Sequence, residues 1–195
     1  SCDQNRDVIL DVLESLFRET RGVLEIGSGT GQHAVYFSSR LDHLQWYTSD
    51  RRENHEGIRM WMEDEGLPNV SGPYELDVLQ DDWPGLDVDA VFSANSAHIM
   101  HLSMVEAMFA GVGRMLPEQG LFALYGPFNY DGRFTSDSNA SFDQWLKTRD
   151  PQSGVRDFEF LDSLARKAGM ELLMDVAMPA NNRTLVWKKQ PSVTS

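Results

Sequence analysis

Apolar positions along the chain follow two alternating rhythms. Val8, Ile9, Val12, Leu13, Leu16 and Phe17 share one face of a helix predicted over Asn5 to Phe17. The next run, GVLEIG, is short and bounded by glycines, the pattern of a strand buried on both faces. Helical spacing resumes at Ala34, Phe37 and Leu41, and LQWYTSD reads as a second strand ending at Asp50. Ile58, Trp61 and Met62 mark a helix that stops at Gly66, with Pro68 just beyond. YELDV and DAVFSAN are the third and fourth strand candidates. Ser103 and Glu106 form a capping-box pattern ahead of Val105, Met108, Phe109, Val112 and Leu116, a helix ended by Pro117 and Gly120. LFALYG is a fifth strand, Asp157 to Ala168 a helix, and ELLMDVAM and TLVWKK are closing strands joined by PANNR.

Strand–helix alternation without a repeat implies a single α/β domain over 1–195. Its expected form is a doubly wound, mostly parallel seven-stranded sheet, Rossmann-like, with helices on both faces. The last two strands have no helix between them and are expected to form an antiparallel C-terminal hairpin. Residues 127–154 interrupt the alternation with Asp, Ser and Asn interspersed with aromatics. Such sheets bind ligands outside the carboxyl ends of their strands, at the switch in strand order.

Composition narrows the partners. The 195 residues are 41% hydrophobic and 24% charged, ordinary for a soluble globular chain. A net charge of −13 disfavours a nucleic-acid or anionic-membrane surface, because both reward Lys and Arg. No apolar run is long enough to span a membrane. Cys2 is the one cysteine, so no internal disulfide forms, and Asp3, Asp7 and Asp11 break any signal-peptide core. A cytoplasmic location is the expectation, although a chain beginning at Ser1 points to an upstream start that is missing. The five histidines show no metal-ligand spacing, so no metal is expected.

The chemistry concentrates in VLEIGSGTGQHAVYF. Its glycines are Gly27, Gly29 and Gly31, while a dinucleotide fingerprint wants its third glycine at position 32, which is Gln. Two residues before the first glycine, Glu25 ends a buried strand, where an ionised carboxylate is costly unless something compensates it. Asp50, about 20 residues on, suits ribose hydroxyls. A bare strand-to-helix turn remains the plain alternative.

A strand ending E-x-G-x-G-x-G resembles motif I of the class I S-adenosylmethionine-dependent methyltransferases. That resemblance implies a backbone approach to the methionine part at Gly27, Ser28, Gly29 and Gly31, with Glu25 toward its ammonium group. It also implies Asp50 and Arg51 at the ribose, and Asp77 and Val78 at the adenine. SANSAHIMH then follows the fourth strand where this fold presents residues to the methyl group. Asn95, His98 and Tyr125 are the catalytic candidates, Asn95 also touching the cofactor, with His101 nearby. His98 either takes a proton or positions the acceptor. No Asn-Pro-Pro-aromatic run is present, which weakens methylation of nucleic-acid bases.

Over nearly its whole length the chain is similar to the methyltransferase-like twenty-six family and its bacterial relatives. The resemblance rests on NRDVIL, LEIGSGTGQHAVYF, GLPNV, LYGPFNYDGRFTSDSNASFDQWLKTRDPQSGVRD and MPANNRTLVW. Relatives often carry Glu-Arg where this chain has Asp3 and Gln4. Residues 127–154 read as an acceptor-site wall or lid, with Tyr125, Asn129 and Tyr130 as polar candidates, or as a packed connection. Ser138 is a candidate cap for a short helix that turns Phe142 and Trp145 inward. PANNR reads first as a hairpin turn, and Asn5 and Arg6 either fold over the cofactor or simply pack.

The expectation is methyl transfer from S-adenosylmethionine by in-line displacement to a small-molecule acceptor, whose identity the sequence leaves open together with the oligomeric state. The competing readings are a non-catalytic S-adenosylmethionine-binding module acting through a partner protein, and an NAD-dependent oxidoreductase, which Gln32 disfavours.

Overall fold

The computed structural model describes residues 2–192, with side chains described from Asn5 to Ser192. The Asp3–Gln4 departure therefore lies outside the described side chains. Nine strands and six α-helices are present among the described residues, and seven strands form one mostly parallel sheet in the order β3-β2-β1-β4-β5-β9-β8. The chain divides into two compact units, 1–93 and 94–195. Among the described residues, no helix is long and apolar enough to cross a membrane.

In the first unit, β1 (Gly22–Ile26) is buried at every position and pairs in parallel with β2 (Gln45–Asp50) and β4 (Ala90–Ala94). Its apolar run has no solvent face, as a central parallel strand requires. The Asp89 carboxylate accepts from the amides of Arg21 and Gly22 at 3.1 and 3.0 Å, fixing where β1 begins. Gly22 is needed there: a Cβ would lie 2.9 Å from the Asp87 carbonyl oxygen. Helices α1 (Cys2–Leu16), α2 (Gln32–Arg40) and α3 (His55–Glu65) complete this unit, with an aromatic core of Phe37, Trp46 and Phe92 whose ring centroids lie 5.8–5.9 Å apart. Asn5 meets the His33 ring at 3.0 Å and the Arg6 guanidinium lies 4.3 Å from the Tyr36 ring centre, so both serve the packing of α1 on α2.

The third strand differs from expectation. β3 spans Val70–Glu75 rather than YELDV, so Asp77 and Val78 lie beyond it in a loop. Its pairing with β2 starts at Trp46↔Val70 and continues after an irregularity to Asp50↔Glu75. Backbone pairing with β2 recruits Val70 and Ser71, with Gly72 at the irregularity, and these residues carry no alternating apolar signal.

In the second unit, β5 (Leu121–Gly126), β9 (Asn182–Lys189) and β8 (Met170–Met178) form the expected antiparallel hairpin and its neighbour, with Gly126 opposite Arg183 and Met178 opposite Asn182. Helices α4 (Leu102–Met115) and α6 (Phe158–Lys167) pack closely because Gly113 meets Ala168: a Cβ there would lie 2.5 Å from the Ala168 carbonyl oxygen. Phe109, Phe122 and Trp187 form the core, and the Trp187 indole donates to Asp162 at 3.0 Å. Residues 127–154 carry β6 (Phe128–Asn129) and α5 (Asp137–Arg149), and β6 pairs in parallel with β7 (Arg156–Asp157).

Two capping expectations are corrected. α4 begins at Leu102, one residue ahead of the capping-box pattern; His101 is its N-cap and no side chain caps it. Ser136, not Ser138, caps α5, its hydroxyl accepting from the Asn139 amide at 3.0 Å. Trp145 is half exposed on α5 and lies against Arg149, rather than turning inward; only Phe142 reaches His98, at 5.1 Å between ring centres.

Candidate functional site

At the carboxyl end of β1 the backbone turns through three left-handed glycines, Gly27, Gly29 and Gly31, at φ of 74°, 62° and 86°. A side chain at any of them would be strained, which explains their strict alternation. Gly31 also lies against α3, where a Cβ would meet Ile58 at 3.4 Å, but at Gly29 nothing lies within 4 Å. Gly29 is thus a left-handed residue facing open space.

The carboxylates beside this turn are held differently. Asp50 ends β2, and its Oδ2 accepts from the Gly29 amide at 2.9 Å. Its Oδ1 accepts from the Arg51 amide at 2.8 Å and the Asn54 side chain at 3.0 Å. Ser28 bridges β1 and β2: its amide donates to the Ser49 carbonyl at 2.8 Å and its hydroxyl accepts from the Ser49 amide at 3.0 Å. Glu25, 2% exposed, takes a hydrogen bond from the Trp46 indole at 3.3 Å. Burial pushes its carboxyl up to about 7, an effect that the Ser28 and Trp46 hydrogen bonds oppose and Asp50 reinforces. Its hydrogen-bond donors are neutral and no cation among the described residues shifts its carboxyl, so near neutral pH Glu25 is poised to ionise when a cation approaches.

Glu25, Ser28, Gly29 and Asp50 are therefore brought together in the first unit. Asp77 joins their end of the sheet, because the Leu76 amide donates to the Asp50 carbonyl at 3.0 Å. Its carboxylate closes its own turn on the Leu79 amide at 3.0 Å, and Val78 is buried. Arg51 points elsewhere: it is exposed and paired with Glu53 at 2.7 Å.

The second unit holds the other candidates. Asn95 is exposed and left-handed, at φ 56°, and its amide donates to the Tyr125 carbonyl at 2.9 Å. Tyr125 is buried within β5. His98 is 7% exposed, and burial, helped by Arg156, lowers its imidazole to about 4, so it is neutral at pH 7. His101 instead meets Asp150 at 2.8 Å.

Sequence reasoning missed what shapes this loop. Arg156 donates to the carbonyls of Ala97, Met100 and Gln152 at 3.2, 2.5 and 2.8 Å, and the Gly154 amide donates to the His98 carbonyl at 2.9 Å. Asn129 reaches the Val155 carbonyl at 3.1 Å. One guanidinium thus pins both ends of the segment carrying His98. An arginine in a Gly-Val-Arg run after a polar loop gives little warning of that role.

Solved structures share this architecture. The S-adenosylmethionine-dependent methyltransferase SibL in its apo form is 20% identical, with a TM-score of 0.82 over 97% of this chain and 56% of that one. An O-methyltransferase family 2 protein from Planctomyces limnophilus in complex with apigenin is 14% identical, with a TM-score of 0.81 over 95% and 56%. An O-methyltransferase family protein from Burkholderia thailandensis is 15% identical, with a TM-score of 0.79 over 96% and 60%. The chain thus spans little more than half the length of these proteins, and at these identities the likeness is one of fold. Residues 1–189 match a family at the level of sequence, and the chain belongs to the family described as Protein of unknown function (DUF938).

Proposed function

We propose that the protein is an S-adenosylmethionine-dependent methyltransferase acting on a small molecule, with 1–195 as one methyltransferase domain related to the methyltransferase-like twenty-six family. The observation that carries this reading is the open, left-handed Gly29, its amide held by Asp50, beside the buried and nearly neutral Glu25. The residues fit such a cofactor: a glycine turn open to a ligand, an acid able to ionise against an ammonium group, and a carboxylate at the end of the second strand. When bound, S-adenosylmethionine supplies an electrophilic methyl group.

In this reading Gly27, Ser28, Gly29 and Gly31 present backbone to the amino-acid part of the cofactor, and Glu25 faces its ammonium. Asp50 exchanges its bond to Gly29 for ribose hydroxyls, with Asp77 and Val78 flanking the base. Arg51 sits beside the ribose, its amide tied to Asp50 and its exposed guanidinium paired with Glu53. Asn95 and Tyr125 line the transfer site. With its imidazole lowered to about 4, His98 is a weak base, and its role is to position the acceptor. Residues 127–154 form a wall of the acceptor site.

Calorimetry with S-adenosylmethionine, S-adenosylhomocysteine and NAD tests the reading. Sub-millimolar binding of both sulfur compounds and not of NAD is expected, with loss in Gly29→Val. Absence of sulfur-cofactor binding in the folded wild-type protein overturns it.

A further inference from the structure

The second unit contains a pocket that the cofactor reading does not use. It encloses about 320 Å³ and is lined by Tyr130, Thr135, Met178, Asn181, Asn182 and Arg183, with Ala177 beside them. Its walls come from two stretches some forty residues apart: NYDGRFT, whose Tyr130 and Arg133 pair across a turn, and PANNR, which forms the expected turn between β8 and β9. The register of β5 with β9 sets Arg183 opposite Gly126, so the pocket opens at the carboxyl end of β5, the end at which sheets of this class receive ligands.

The polar groups in it are arranged rather than scattered. Asp175 accepts from the Tyr130 hydroxyl at 2.7 Å through one oxygen and from Arg183 Nε at 2.8 Å through the other. Tyr130 stacks on Phe158, with ring centres 5.2 Å apart and planes 18° from parallel, and the Arg183 guanidinium lies 5.6 Å from the Tyr130 ring centre. Burial and the Asp175 carboxylate push the Tyr130 phenol well above its ordinary range, so the hydroxyl stays protonated and its hydrogen stays on Asp175. The turn above is held by the Asn139 side chain donating to the Asn181 carbonyl at 3.2 Å and by Asn182 donating to the Pro179 carbonyl at 3.2 Å.

These bonds decide what the pocket offers. Both Asp175 oxygens are engaged, and so is Arg183 Nε. The Tyr130 hydroxyl also interacts with the Arg183 guanidinium, and the Arg183 side chain is one-third exposed. The guanidinium offers an end-on pair of donors, whose spacing matches the two oxygens of a carboxylate. Asn181 and Thr135 add neutral polar groups. A dianion would face a single cation already paired with Asp175, so a monoanion is the better match.

We propose that this pocket binds a carboxylate group of the methyl acceptor, seated end-on against Arg183. The word acceptor rests on the methyl-transfer reading; the carboxylate specificity rests on the pocket alone. It places the substrate among small organic acids and gives Asp175, an acid within β8, a role: it aims the guanidinium.

The test uses benzoate as a rigid monocarboxylate and benzamide as its neutral counterpart, titrated into the wild-type protein without cofactor. The side-chain ¹⁵N resonances of Arg183, Asn181 and Asn182 are followed. Saturable shifts with benzoate, at least tenfold weaker with benzamide, are expected, and Arg183→Lys, which keeps the charge but not the paired donors, should lose most of the difference. Equal responses to the two compounds, or no response to benzoate, overturn the proposal without any variant having to fold. Calorimetry with S-adenosylhomocysteine on the same sample reads the donor site separately. Cofactor binding without a benzoate response overturns the pocket proposal alone. A benzoate response without cofactor binding supports the carboxylate site and overturns the methyl-transfer reading.

Discussion

The Asp50 carboxylate holds the Gly29 amide at 2.9 Å, tying the end of one strand to the turn after its neighbour. That bond fixes the left-handed turn against the end of β2, and in the proposed function the same carboxylate engages a ribose. Asp50→Ala should weaken S-adenosylhomocysteine binding about 10- to 100-fold, the scale of losing a charge-assisted hydrogen bond, as read by calorimetry.

Gly29 and Gly113 separate backbone conformation from space. Gly29→Ala is strained only by its left-handed φ, so it should cost on the order of 1 kcal/mol of stability while sharply reducing cofactor affinity. Gly113→Ala drives a methyl to 2.5 Å from the Ala168 carbonyl oxygen and should destabilise by roughly 1–3 kcal/mol through forced separation of α4 and α6. Urea melts of the two variants, set beside their cofactor affinities, distinguish these effects.

Stability should respond to pH through two opposed contributions. Glu25 is raised by burial from 4.5 to about 7, so the folded state binds its proton more tightly, and stability falls as pH rises from about 4.5 to 7. His33 and His98, lowered mainly by burial from 6.5 to about 4, contribute the reverse: stability is lost as pH falls from about 6.5 to 4. Each is on the order of 3 kcal/mol when complete. Glu25→Gln should therefore steepen the rise in stability between pH 4 and 6.5 and raise stability above pH 7, measured as denaturation midpoints across that range.

Arg156→Met removes the donor to three carbonyls around the loop carrying His98. A loss of about 2–3 kcal/mol is expected, since the freed carbonyls are left partly buried without partners. If the loop positions the acceptor, turnover should fall further than cofactor affinity, and Arg156→Lys should restore part of the stability.

Much of the first unit was legible because its signals are local. The buried run ending in Glu25, the alternating glycines and the acid ending LQWYTSD are each written within a few residues. β3 was misplaced because its pairing with β2 recruits residues without an apolar pattern. The helix caps slipped for a related reason: Ser103 and Ser138 are each the right residue type near the right place, but the helix start depends on where the preceding loop is pinned. Arg156 and the Tyr130–Asp175–Arg183 group were invisible locally, since each acts across tens of residues. Asp175 within ELLMDVAM was the available hint, a charge set among Leu172, Leu173, Met174 and Val176.

The contact between Trp46 and Glu25 gives the protein an internal optical probe. An indole with no exposed surface shares its N–H with a carboxyl group that titrates near neutrality. Ionisation of that carboxyl shifts the electronic environment of the ring, so near-ultraviolet absorbance and emission colour follow the charge on Glu25 without any added label. Trp46→Phe identifies that signal among the five tryptophans.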